Sequence, residues 1–129
     1  LPSYTDLVGK EFEWGGRGPD KYDCYGLAKE VYDRNDLELP EVISPITCKT
    51  IHEGIMDNMI GVVEKIDKKE PLCFVGFSFK PPYMSHIGIV LEDKIRFIHV
   101  SDKTRVCIER LDNLLWKAKI TGFYRWKKN

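Results

Sequence analysis

Ser85-His86-Ile87-Gly88-Ile89-Val90-Leu91-Glu92-Asp93-Lys94-Ile95-Arg96-Phe97-Ile98-His99-Val100-Ser101 decides the fold of this chain. Two runs rich in β-branched residues flank the polar pair Asp93-Lys94, the composition of a β-hairpin. A two-residue turn there pairs Glu92 with Ile95, Val90 with Phe97, Gly88 with His99 and His86 with Ser101. His86 and His99 then share one face as diagonal neighbours, about 7–8 Å apart at the backbone and within reach of each other's rings. Gly88, opposite His99, leaves room for the imidazole. Ile87, Ile89, Leu91, Ile98 and Val100 fall on the other face. A turn one residue longer or shorter separates the histidines.

Outward from this hairpin, Leu72 to Phe79, Val106 to Arg110 and Ala118 to Trp126 have the same strand character, with a helical turn expected over Leu111 to Trp116. Upstream, Tyr25, Leu27, Ala28, Val31 and Tyr32 recur at helical spacing and predict a helix from Asp23 to Asp33 with Asp23 as its N-cap. A weaker periodicity suggests a second helix over Cys48 to Met59. Helices first and strands after predict an α+β domain, its N-terminal helices packed on one face of an antiparallel sheet of about five strands. The 129 residues fit one such domain, 1–129.

The 43% hydrophobic and 31% charged fractions are those of an ordinary globular domain. Twenty basic residues balance twenty acidic ones, so no global field favours nucleic acid or an anionic bilayer. No apolar run approaches the roughly 18 residues that cross a membrane, and the N-terminus has no basic segment followed by an apolar core. Cys48, Cys73 and Cys107 lack close metal-ligand spacing and read as buried thiols. His52 reads as a surface residue, and Trp116 and Trp126 as packing. Gly15, Gly16 and Gly18 are followed by no Lys-Ser or Lys-Thr pair, which excludes a phosphate-binding loop.

Cys24 differs from the other cysteines in its setting, Trp14-Gly15-Gly16-Arg17-Gly18-Pro19-Asp20-Lys21-Tyr22-Asp23-Cys24-Tyr25-Gly26-Leu27. A thiol in the first turn of a helix faces unpaired N–H groups and the positive dipole end, which favour the thiolate. Together with two paired histidines it is the skeleton of a cysteine hydrolase. Cys24 is expected to attack an amide carbonyl while His86 acts as general base and acid, and His99 orients His86. The Cys24 N–H is the natural oxyanion donor. Asp23, whose charge raises a neighbouring thiol's pKa, is expected to be structural.

The blocks Trp14-Gly15-Gly16, Asp23-Cys24-Tyr25-Gly26-Leu27, His86-Ile87-Gly88-Ile89 and the later His99 resemble, in order, those of the NlpC-type papain-like peptidases of bacterial cell walls. Gly15 to Asp20, Leu39-Pro40 and Gly122-Phe123-Tyr124-Arg125 resemble the phage-tail branch in particular. The resemblance covers nearly the whole chain. It implies a papain-like fold, a Cys24-His86-His99 triad and hydrolysis of peptidoglycan stem peptides, typically between γ-D-glutamate and a diamino acid. It also implies no metal or organic cofactor, synthesis in a bacterial cytoplasm, action at the wall, and other tail proteins as partners. Phe12 and Tyr25 depart from the tyrosine and serine common in the family. Trp14, Arg17, Tyr25 and Ser85, which flank the catalytic positions, are the candidates for lining the substrate cleft. Two other readings remain at this point: a catalytically silent tail-tip binding module, and an amidase or acyltransferase on the same triad.

Overall fold

A computed structural model describes residues 2–41, 63–79 and 86–126. Six strands form one antiparallel sheet: β3 (Val63–Ile66), β4 (Phe74–Phe77), β5 (His86–Val90), β6 (Arg96–Ser101), β7 (Thr104–Arg110) and β8 (Ile120–Trp126), in the order β3-β8-β4-β5-β6-β7. Before them, β1 (Glu11–Phe12) and β2 (Lys21–Tyr22) pair in parallel, and α1 (Cys24–Asp33) follows. A short helix α2 (Leu114–Lys117) sits between β7 and β8. The expectation of about five strands falls one short: β3 carries Glu64 and Lys65 at its centre, exposed on the sheet edge, where charge blunts unwanted pairing. The helix expected over Cys48 to Met59 lies outside the described residues.

The sheet is covered on both faces. On one side Leu27, Ala28, Val31 and Tyr32 of α1 join Ile87, Ile89, Leu91, Ile98 and Val100 in a single core. On the other, Val75, Phe77, Val90 and Phe97 pack with Leu111 and Trp116. Central strands therefore read as continuous apolar runs, and every residue of β4 and β5 is buried. Phe77 is fully enclosed between Phe97, His86 and Trp116, a position where truncation to alanine costs about 3–5 kcal/mol.

The hairpin keeps its expected register, with Val90 opposite Phe97 and Ile89 opposite Ile98. Its turn differs. The last backbone bond is Leu91 N–H to Arg96 at 2.8 Å, and Lys94 has φ 62°, so four residues turn the chain where two were expected. Adding one residue to each strand's share preserves the parity of every side chain, which is why the two faces come out as read.

Candidate active site

The start of α1 is fixed by a buried carboxylate. Asp23 accepts from the N–H of Gly26 at 2.7 Å, the N–H of Gly15 at 3.0 Å and Nη1 of Arg17 at 2.7 Å. Arg17 extends outward to Glu41. This is the expected N-cap, and it ties the glycine-rich loop to the helix. Gly26 is dictated by the same approach: a β-carbon there would lie 2.0 Å from the Gly16 carbonyl oxygen. The Asp23-Cys24-Tyr25-Gly26 block is thus a packing solution that delivers the sulfur to the sheet.

Cys24 meets β5 at its beginning. The N–H groups of Ile87, Tyr25 and Cys24 itself face the sulfur and favour its anion, but burial first and the Asp23 charge second push the thiol up to about 12. The expectation of a resting thiolate is therefore corrected: removal from water outweighs the helix-start contribution. β5–β6 pairing is confined to Ile89–Ile98 and Val90–Phe97 and does not reach Gly88–His99 or His86–Ser101. At Ile87 the backbone N–H faces the sulfur.

His86 and His99 lie among the rings of Phe77, Phe97 and Trp116. His86 Nε2 and His99 Nδ1 lie 2.9 Å apart. Trp116 packs against His99 at 4.6 Å between ring centres, and Phe77 against His86 at 5.5 Å. Gly88 provides the clearance foreseen, since a β-carbon there would come within 3.3 Å of His99 Cβ and 3.1 Å of the Ile98 carbonyl. Burial holds His86 well below the ordinary imidazole range, with the His99 charge adding to it. Burial also lowers His99, against the upward pull of Glu109. Both rings rest neutral at pH 7.

Glu109 was not foreseen. Its Oε2 lies 2.8 Å from His99 Nε2, and it fixes the tautomers along the chain. A carboxylate only accepts, so His99 Nε2 carries the proton and donates to Glu109. His99 Nδ1 then accepts from the Nε2–H of His86, which leaves His86 Nδ1 unprotonated. Cys107 Sγ lies 3.3 Å from His99 Nε2. It is only half-buried and borders the site, where a buried thiol was expected; Cys73 is buried. In the observed register Cys107 pairs with His99 and Glu109 with Phe97, all on one face.

The structure thus brings His86 and His99 together and sets Cys24 against the residue next to His86. Among the described residues, neither ring is hydrogen-bonded to the thiol. Trp14 is 39% exposed and packs edge-on against Phe12. Arg17 is engaged by Asp23 and Glu41. Tyr25 is buried, with its hydroxyl donating to the Pro40 carbonyl and Arg17 above its ring. Ser85 lies outside the described residues.

The sequence profile of the NlpC/P60 family matches residues 9–125. The chain belongs to the NlpC/P60 family. It is 25% identical over 118 residues to a protein named probable endopeptidase p60 from Listeria innocua serovar 6a, covering 92% of this chain and 22% of that protein. The chain therefore spans about a fifth of that relative's length. A solved NLP/P60-family structure from Staphylococcus aureus subsp. aureus Mu50, similar to lipoprotein, superposes with TM-score 0.64 at 24% identity over 95% of this chain and 38% of its own. The NlpC/p60 domain of peptidoglycan hydrolase SagA gives TM-score 0.58 at 18% identity over 93% of this chain and 89% of its own. These likenesses identify the α+β, papain-like architecture. Among the described residues, no helix is long and apolar enough to cross a membrane.

Proposed function

We propose that this NlpC/P60 domain is a peptidoglycan cysteine endopeptidase working through Cys24, His86 and His99. The observation that carries the reading is the run of contacts from Glu109 through His99 to His86, whose hydrogen-bond logic leaves His86 Nδ1 unprotonated, one residue from the Ile87 N–H that faces Cys24. With Cys24 a thiol and His86 neutral at rest, the reaction starts by proton transfer, not from a standing ion pair. His86 Nδ1 takes the Cys24 proton as sulfur bonds to the substrate carbonyl carbon, and the oxyanion is met by the Cys24 N–H. His86 then returns the proton to the amine as the C–N bond breaks, leaving a thioester. Water, deprotonated by the same nitrogen, releases the acid and restores the thiol.

The substrate assignment rests on the family and on the named p60 and SagA relatives. The scissile bond is read as that between γ-D-glutamate and a diamino acid, and the site of action as the cell wall. Trp14, Arg17, Tyr25 and Ser85 are proposed to border the cleft, Trp14 through its exposed ring. Association with a phage tail rests on the Gly15–Asp20, Leu39-Pro40 and Gly122–Arg125 blocks. The test is digestion of purified muropeptides with mass spectrometry of the products. New γ-glutamyl carboxyl and diamino acid amino termini are expected from the wild type and none from Cys24→Ala. Amine-capped products would indicate acyl transfer, and intact substrate a silent binding module.

A further inference from the structure

His99, Cys107 and Glu109 present three different metal-binding atoms to one point. His99 Nε2 to Glu109 Oε2 is 2.8 Å, Cys107 Sγ to His99 Nε2 is 3.3 Å and Cys107 Sγ to Glu109 Oε2 is 3.8 Å. Zinc–ligand bonds of 2.0–2.3 Å at tetrahedral angles put such atoms about 3.3–3.6 Å apart, so adjustments of about half an ångström suffice. The backbone is already set: Cys107 lies opposite His99, and Glu109 is two residues further along the same strand face. Glu109 keeps 31% of its side-chain surface exposed, which gives an ion a route from solvent. One thiolate and one carboxylate balance a divalent charge, as a half-buried site requires.

We propose that His99, Cys107 and Glu109 form a divalent-metal site of the zinc type, and that filling it disables His86 as a base. The metal replaces the thiol proton of Cys107, which is released to solvent, and bonds to His99 Nε2 in place of hydrogen. His99 then carries its proton on Nδ1 and donates to His86 Nε2. His86 in turn holds its proton on Nδ1, the nitrogen that otherwise receives the Cys24 proton. The two rings keep two protons between them, and one proton leaves per ion bound. Water takes the fourth coordination position. The same side chains thus hold the base ready when empty and block it when loaded. The second half of this proposal rests on the endopeptidase reading; the first does not.

The test is titration of the reduced full chain with cobalt(II), followed by the sulfur-to-cobalt charge-transfer absorption. A saturable band with one ion per chain is expected in the wild type and in Cys24→Ser. It is lost in Cys107→Ser and weakened at least tenfold in affinity in Glu109→Ala. Absence of the band, its survival in Cys107→Ser or its loss in Cys24→Ser overturns the site. For the coupling, saturating zinc is expected to slow muropeptide hydrolysis about a hundredfold, the scale of a lost general base, and to leave Cys107→Ser unaffected. Undiminished hydrolysis by zinc-saturated wild type overturns the coupling. A chain that binds cobalt as described yet never hydrolyses muropeptides refutes the endopeptidase reading and retains the metal site.

Discussion

Cys24 and Cys107 are both raised by burial first and a neighbouring carboxylate second, to about 12 and about 11, yet the other groups around them differ. Cys24 is ringed by the N–H groups of Ile87, Tyr25 and its own residue, donors that favour negative charge wherever it develops. Cys107 has the Glu109 carboxylate, which penalises an anion and suits a cation, and a His99 ring nitrogen at 3.3 Å that can serve as a ligand beside it. Identical side chains a few strands apart are thereby set up for different chemistry. What distinguishes them is the set of groups that face the sulfur: backbone N–H groups at Cys24, a carboxylate and an imidazole nitrogen at Cys107. His99 links the two regions, with one nitrogen serving each.

The largest expected effect that sharpens this contrast is at the shared carboxylate. Glu109→Leu removes the acceptor that holds His99 in its Nε2–H form, and hydrolysis is expected to fall about a hundredfold or more, as a mis-set tautomer does in other triads. Glu109→Gln, whose amide oxygen still accepts, is expected to stay within about tenfold of wild type. Nitrogen-15 spectra of the rings supply the separate readout: the His99 tautomer persists in the glutamine variant and changes in the leucine variant. Equal losses with an unchanged tautomer would reduce Glu109 to packing.

A smaller effect probes how Cys24 is delivered. Gly26→Ala places a methyl against the Gly16 carbonyl, and the helix start must shift, at a cost of about 3 kcal/mol in urea unfolding. Cys107→Ala, at the half-buried thiol, is expected to cost about 1 kcal/mol. Comparable midpoints for the two variants would contradict the close approach.

A further effect is pH-linked. Both histidines titrate lower folded than unfolded, so below about pH 6.5 the unfolded chain binds more protons and stability falls. The loss is about 1.4 kcal/mol per pH unit for each ring that stays neutral. His86→Asn should flatten that slope between pH 6.5 and pH 5. A slope equal to that of wild type would mean that His86 is not buried neutral.

Much of this was legible in the sequence because side-chain parity survives small errors. The hairpin faces were right despite a turn of the wrong length, since the extra residues divided evenly between the strands. Asp23 as N-cap and the clearance at Gly88 followed from local chemistry alone. The charged edge strand Val63–Ile66 was missed because edge positions carry little apolar periodicity. Glu109 was hidden by the register shift between His99 and Ser101, which defeats simple counting across the β6–β7 turn. The neutral state of Cys24 depends on how α1 seats against β5, a tertiary fact that a helix-start argument does not contain.

The most direct test of the account exchanges the fates of the two thiols. In chelator, so that no metal intervenes, muropeptide hydrolysis by Cys24→Ala and Cys107→Ala is compared with wild type by product mass spectrometry. The account predicts no products from Cys24→Ala and hydrolysis within about tenfold of wild type from Cys107→Ala. Products from Cys24→Ala, or their loss in Cys107→Ala alone, would contradict it.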